Sequence, residues 1–219
     1  MQNHFMKELG NLRGLLCLQG ANVQKAIEQA IKSFSTGDTA LAQQVVSQDT
    51  VIDTEEIRIE EECLKTLALY QPVAGDLRTV ISYIKINTSL ERMADFACHM
   101  AERAINIARH SPLSEQELFD FTPMASLVQD MLLNTLNIVE TGDFIMAHKV
   151  IEQDDAVDAM RNNHRSHAKA AIISNPRAAE YYIDCIGLAR DLERIADLAT
   201  DICQHIIYLR TGLITRHKG

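Results

Sequence analysis

Leu90-Glu91-Arg92-Met93-Ala94-Asp95 returns 102 positions later as Leu192-Glu193-Arg194-Ile195-Ala196-Asp197. Two other stretches return at an offset of 105. Thr36-Gly37-Asp38 matches Thr141-Gly142-Asp143, and Gln48-Asp49-Thr50-Val51-Ile52-Asp53 matches Gln153-Asp154-Asp155-Ala156-Val157-Asp158. Val23-Gln24 recurs in step as Val128-Gln129. The same motifs in the same order, at a nearly fixed offset, identify an internal duplication.

Working outward from these repeats, the apolar residues have a helical period. Leu41, Val45, Ile52, Ile59, Cys63 and Leu67 lie on one stripe of a 3.6-residue helix, and Val23, Ala26, Ile27, Ala30, Ile31 and Phe34 lie on another. Between the two stripes, Gly37 suits a helix C′ position and Asp38 or Thr39 the next N-cap. Breakers are rare, with 9 Gly and 4 Pro in 219 residues, so a turn-rich β sandwich or barrel is excluded. The spacing predicts six helices, over about 3–35, 39–70, 75–109, 122–141, 143–174 and 177–211. Gly10, Gly14 and Gly20 weaken the first of them and mark a frayed or kinked start, or a close helix contact. The expected fold is all-α: two tandem three-helix bundles, residues 1–110 and 122–219, joined through the stretch around 110–123.

Charge and cysteine usage narrow the function. The net charge of −9 disfavours nucleic acid and anionic lipid as partners and permits cations or basic protein surfaces. Five scattered cysteines with no Cys-x-x-Cys pair read as reduced thiols in a cytoplasmic protein. No stretch of 18 apolar residues occurs, so no membrane insertion is expected, and the N-terminus with Glu8 does not have the pattern of a secretory signal.

Four acidic pairs occupy matching places in the halves: Asp49/Asp53, Glu91/Asp95, Asp154/Asp158 and Glu193/Asp197. The i, i+4 spacing puts both carboxylates of a pair on one helix face, about 6 Å apart along the axis. Like charges so placed repel, and a cation between them removes the penalty. Two pairs on adjacent helices would offer four carboxylates to a hard cation. The alternative is ion pairing to Arg92 and Arg194, which adjoin the pairs. His99 and Asp201 extend the acidic rows by a turn. Gln71-Pro72-Val73-Ala74-Gly75-Asp76-Leu77-Arg78 is a turn into the third helix, with Asp76 favoured by the helix N-terminus. Asp76 lies about 22 Å along that helix from Glu91, which assigns it to a cap or an interaction surface. There is no Gly-rich phosphate loop, no Gly-x-Ser-x-Gly and no Glu-x-x-His. The enzyme alternative is therefore limited to a carboxylate-bridged helical-bundle metalloenzyme.

In combination, QPVAGDLR, LERMAD, LERIAD and the duplicated TGD and QDxxxD motifs resemble the PhoU family of phosphate-uptake regulators, over nearly the whole chain. The resemblance implies a non-enzymatic negative regulator of phosphate import and of phosphate-starvation signalling. It implies a cytoplasmic homodimer that reaches the inner membrane only through its partners. Those partners would be the ATPase and membrane subunits of the phosphate ABC transporter and the sensor histidine kinase. It also implies metal ions (iron, zinc, manganese or magnesium) on Asp49, Asp53, Glu91, Asp95, Asp154, Asp158, Glu193 and Asp197, and a partner surface at Pro72, Asp76 and Arg78. The chain departs from the family pattern at Ala94 and Ala196, where Gly is usual, and at His99 and Asp201, where Asn is frequent. The second half has Glu180-Tyr181-Tyr182 in place of Asp-Leu-Arg, so the partner surface is expected to differ between halves.

Overall fold

The structure, a computed structural model, describes residues 2–110 and 119–212. Among the described residues there are six α-helices: α1 (Gln2–Thr36), α2 (Thr39–Tyr70), α3 (Ala74–His110), α4 (Thr122–Thr141), α5 (Phe144–Ser174) and α6 (Ala179–Thr211). A 3-10 turn, Pro176–Ala178, precedes α6. No strand occurs among the described residues. Residues 111–118 of the expected connection, and the extreme termini of both expected bundles, lie outside the described residues.

The duplicated Thr-Gly-Asp motif is a stop-and-start signal in both halves. Gly37 and Gly142 take φ of 69° and 72°, the left-handed conformation that ends a helix most cheaply with glycine. Asp38 then accepts a hydrogen bond from the Leu41 amide at 2.9 Å, and Asp143 accepts from Ile145 and Met146 at 3.0 and 3.1 Å. These are side-chain N-caps.

Helices α1–α3 pack on one another, as do α4–α6, and the two bundles meet through α3 against α6 and α1 against α4. Buried alanines on α3 (Ala94, Ala97, Ala101, Ala104) and on α6 (Ala189, Ala196, Ala199) thin the facing surfaces, which favours close axes. Gly20 settles the question left by the first helix. A Cβ there would overlap the Leu136 side chain of α4, whereas Gly10 and Gly14 face open space. Gly20 is thus a close-contact glycine within an unbroken helix. Leu16, Ile27, Ile86, Leu90, Met93, Met131, Leu132 and Leu192 are fully buried. All five cysteines are free thiols, and four of them are buried.

Candidate functional site

Two side chains fix the register of α2 against α3 on either side of the first acidic patch. The Asn87 amide donates to the Glu56 carbonyl at 2.8 Å, and the Cys98 thiol makes a weak contact with the Val45 carbonyl at 3.9 Å. Between these points α2 presents Asp49, Asp53 and Glu56, and α3 presents Glu91 and Asp95. The five carboxylates act on one another. Burial pushes the Glu91 carboxyl up to about 7, reinforced by Asp95, Asp53, Glu56 and Asp49. Asp95 is raised by burial and Asp49, with His99 and Arg92 opposing. Glu56 is raised by burial, Glu60 and Asp53. The Oδ1 atom of Asp49 is buried without a hydrogen-bond partner.

The second patch has a different counter-charge. Burial pushes Asp154 up to about 6, with Asp197, Asp158 and Glu193 adding to it. Arg161, however, places one nitrogen, Nη2, 3.2 Å from Asp158 and 3.3 Å from Glu193. Arg194 pairs with Asp197 at 3.0 Å and lies 3.6 Å from Glu193. The ion pairing weighed at the sequence level for Arg194 is therefore present. Arg92 makes no ion pair among the described residues, although its charge favours ionised Asp95.

As the side chains lie, no three His, Cys, Asp or Glu donors among the described residues converge at ligand spacing. An ion would have to draw the carboxylates of α2 and α3 together. The first patch fits that role chemically: it is all oxygen donors, it lacks a paired cation, and Asp49 has a buried, unpartnered oxygen. Glu56 and Arg161 are the two residues that the sequence reading missed. Each lies three positions after a candidate ligand, Asp53 or Asp158, and they correspond at the offset of 105.

The 71–78 stretch combines two left-handed residues with exposed apolar side chains. Gln71 and Ala74 adopt φ of 47° and 50° without being glycine. Val73 is 75% exposed, with Leu69 and Leu77 exposed nearby. Asp76 stands in the first turn of α3 and lines a cleft of about 420 Å³ with Arg13, Thr79, Tyr83 and Arg210. The Arg78 guanidinium reaches toward Gly75 and Gly212. Its Nε is buried and unpartnered.

A duplicated three-helix unit with an acidic patch on each copy defines the class. The PhoU domain family model matches the chain twice, at residues 16–104 and 121–206. The chain belongs to the PhoU family. It is 35% identical over 212 residues to the phosphate-specific transport system accessory protein PhoU homolog of Aquifex aeolicus, covering 97% of this chain and 95% of that one. It is 33% identical to the Pseudomonas aeruginosa homolog of the same description, covering 100% and 90%. The crystal structure of PhoU from Pseudomonas aeruginosa superposes with a TM-score of 0.91 at 33% identity, covering 95% of this chain and all of that one. The phosphate transport system regulatory protein PhoU from Streptococcus pneumoniae shares the fold, with a TM-score of 0.88 at 24% identity, covering 96% and 99%. No helix among the described residues is long and apolar enough to cross a membrane.

Proposed function

We propose that the chain is a non-enzymatic, metal-binding accessory regulator that represses phosphate uptake and phosphate-starvation signalling when phosphate is plentiful. It acts in the cytoplasm as a homodimer. It docks on the ATPase and membrane subunits of the phosphate ABC transporter and on the sensor histidine kinase. Membership of a family of phosphate transport accessory proteins supports this setting.

The observation that carries the docking role is the 71–78 turn. Its backbone holds Val73 in solvent between Leu69 and Leu77, beside Asp76 and Arg78. The left-handed Gln71 caps α2, its amide donating to the Leu67 carbonyl at 3.0 Å, whereas the exposed Leu69, Val73 and Leu77 lie outside this chain's core and suit a contact surface. Metal belongs to the first bundle, where Asp49, Asp53, Glu91 and Asp95, joined by Glu56, would hold it. Iron, zinc, manganese or magnesium there would neutralise the repelling carboxylates.

The test is capture of membrane partners by the tagged full-length protein at high and low phosphate. Wild-type protein is expected to retain the transporter ATPase or the kinase at high phosphate, and a stably folded Val73→Asp variant is expected to lose it. Equal capture by both proteins would contradict the docking role.

A further inference from the structure

We infer that the second carboxylate patch carries its own cation, Arg161, and is thereby closed to metal, whereas the first patch is open; the inference rests on the metal reading of the first bundle. Helices α2 and α5 correspond at an offset of 105, which aligns Asp49 and Asp53 with Asp154 and Asp158. The same offset aligns Glu56 with Arg161 and Glu60 with Arg165. On one helix face, two acids of α2 have become two bases of α5.

The replacement has a geometric consequence. Arg161 Nη2 lies 3.2 Å from the Asp158 carboxylate on its own helix and 3.3 Å from the Glu193 carboxylate on α6. One nitrogen therefore bridges the two helices whose carboxylates would have to close on an ion. Arg194 takes Asp197 at 3.0 Å and approaches Glu193 from the other side at 3.6 Å. Of the four carboxylates, only Asp154 is left outside these pairs. A guanidinium saturates carboxylate oxygens with directed donors and repels an arriving cation. In the first patch Glu56 contributes a further negative charge at the corresponding place, and its carbonyl is tied to Asn87. The repeats are thus duplicated in fold and opposite in counter-ion: one patch takes its cation from solution, and the other has it built into the chain.

The test uses the full-length protein, stripped with chelator and titrated with manganese(II), free ion being read by its electron paramagnetic resonance signal. Wild-type binding is expected to vanish in Asp49→Asn/Asp53→Asn and to persist unchanged in Asp154→Asn/Asp158→Asn. Arg161→Glu, which copies Glu56 into the second half, is expected to add bound ion beyond the wild-type amount. Adding Asp154→Asn should abolish that gain. In the absence of ion, Arg161→Gln is expected to lower the melting temperature, because Asp158 and Glu193 lose their shared donor. Wild-type protein that binds no manganese would overturn the metal reading of the first bundle. The closure of the second patch would then stand if Arg161→Glu still gained an ion and fall if it did not. Loss of wild-type binding in Asp154→Asn/Asp158→Asn, or an Arg161→Gln protein that melts like wild type, would overturn the inference directly.

Discussion

Arg103 of α3 and Asp191 of α6 form an ion pair between the bundles, with Nε donating to Oδ2 at 2.9 Å and Asp191 fully buried. The guanidinium also reaches Asp184 at 3.4 Å and lies over Gly187, where a Cβ would overlap it. Breaking such a pair strands a buried charge at a cost of about 3–5 kcal/mol. Arg103→Met should therefore lower the melting temperature by on the order of 10 °C. Gly187→Ala should act in the same direction by displacing the guanidinium. Calorimetry checks both, and a neutral Arg103→Met would mean that the junction does not depend on this pair.

Equivalent residues in the two acidic patches should respond to neutralisation to different degrees. Glu91 is surrounded by unpaired carboxylates, so Glu91→Gln relieves repulsion and should stabilise the ion-free protein by a few tenths of a kcal/mol or more. At Glu193 burial and Asp197 also raise the carboxyl, but Arg194 and Arg161 oppose them and Arg161 donates to it, so Glu193→Gln should relieve less repulsion and stabilise less than Glu91→Gln. Denaturant melts of both variants in chelator provide the comparison, and a larger gain for Glu193→Gln than for Glu91→Gln would refute the difference in counter-ion.

Ala74 holds φ of 50° at the start of α3. An L-residue is penalised there and glycine is not. Ala74→Gly should stabilise the protein by roughly 1 kcal/mol, the reverse of the usual effect of glycine inside a helix. Urea titration reads the sign.

His164 stacks on Phe121, with ring centroids 4.5 Å apart, and also touches Phe119. Burial holds its pKa below 6.5, His167 adds to this, and Asp120 opposes it. The unfolded chain therefore binds a proton more readily than the folded one. This residue's contribution is complete above about pH 6.5 and is lost as pH falls below it. His164→Phe should flatten that part of the stability profile, as measured by melting between pH 5 and 8.

The duplication and the six helices were legible because they rest on local signals: period, breakers and caps. Thr-Gly-Asp could be read as a helix stop and start from the chemistry of Gly37 and Asp38 alone. The acidic pairs were legible as faces, since i, i+4 spacing fixes them. Their partners were less so. Arg92 and Arg194 are neighbours in sequence and were weighed for that reason, but only Arg194 forms ion pairs. Arg161 lies three residues past Asp158, and its second contact is 32 positions away. Its signal was the mismatch with Glu56 at the repeat offset. Arg103 and Asp191 lie 88 positions apart, and no local pattern connects them. The backbone at Gln71 and Ala74 was equally hidden, because neither residue type announces a left-handed conformation.

The regulatory role is tested most directly at Arg78, whose Nε is buried without a partner beside the exposed 71–78 turn. The measurement is a phosphate-starvation promoter reporter in phosphate-rich cells that lack the native copy and carry wild-type or Arg78→Ala protein at equal levels. Wild type is expected to repress. Arg78→Ala is expected to derepress the promoter while keeping its melting temperature and metal content. Full repression by a stably expressed Arg78→Ala protein would contradict the account.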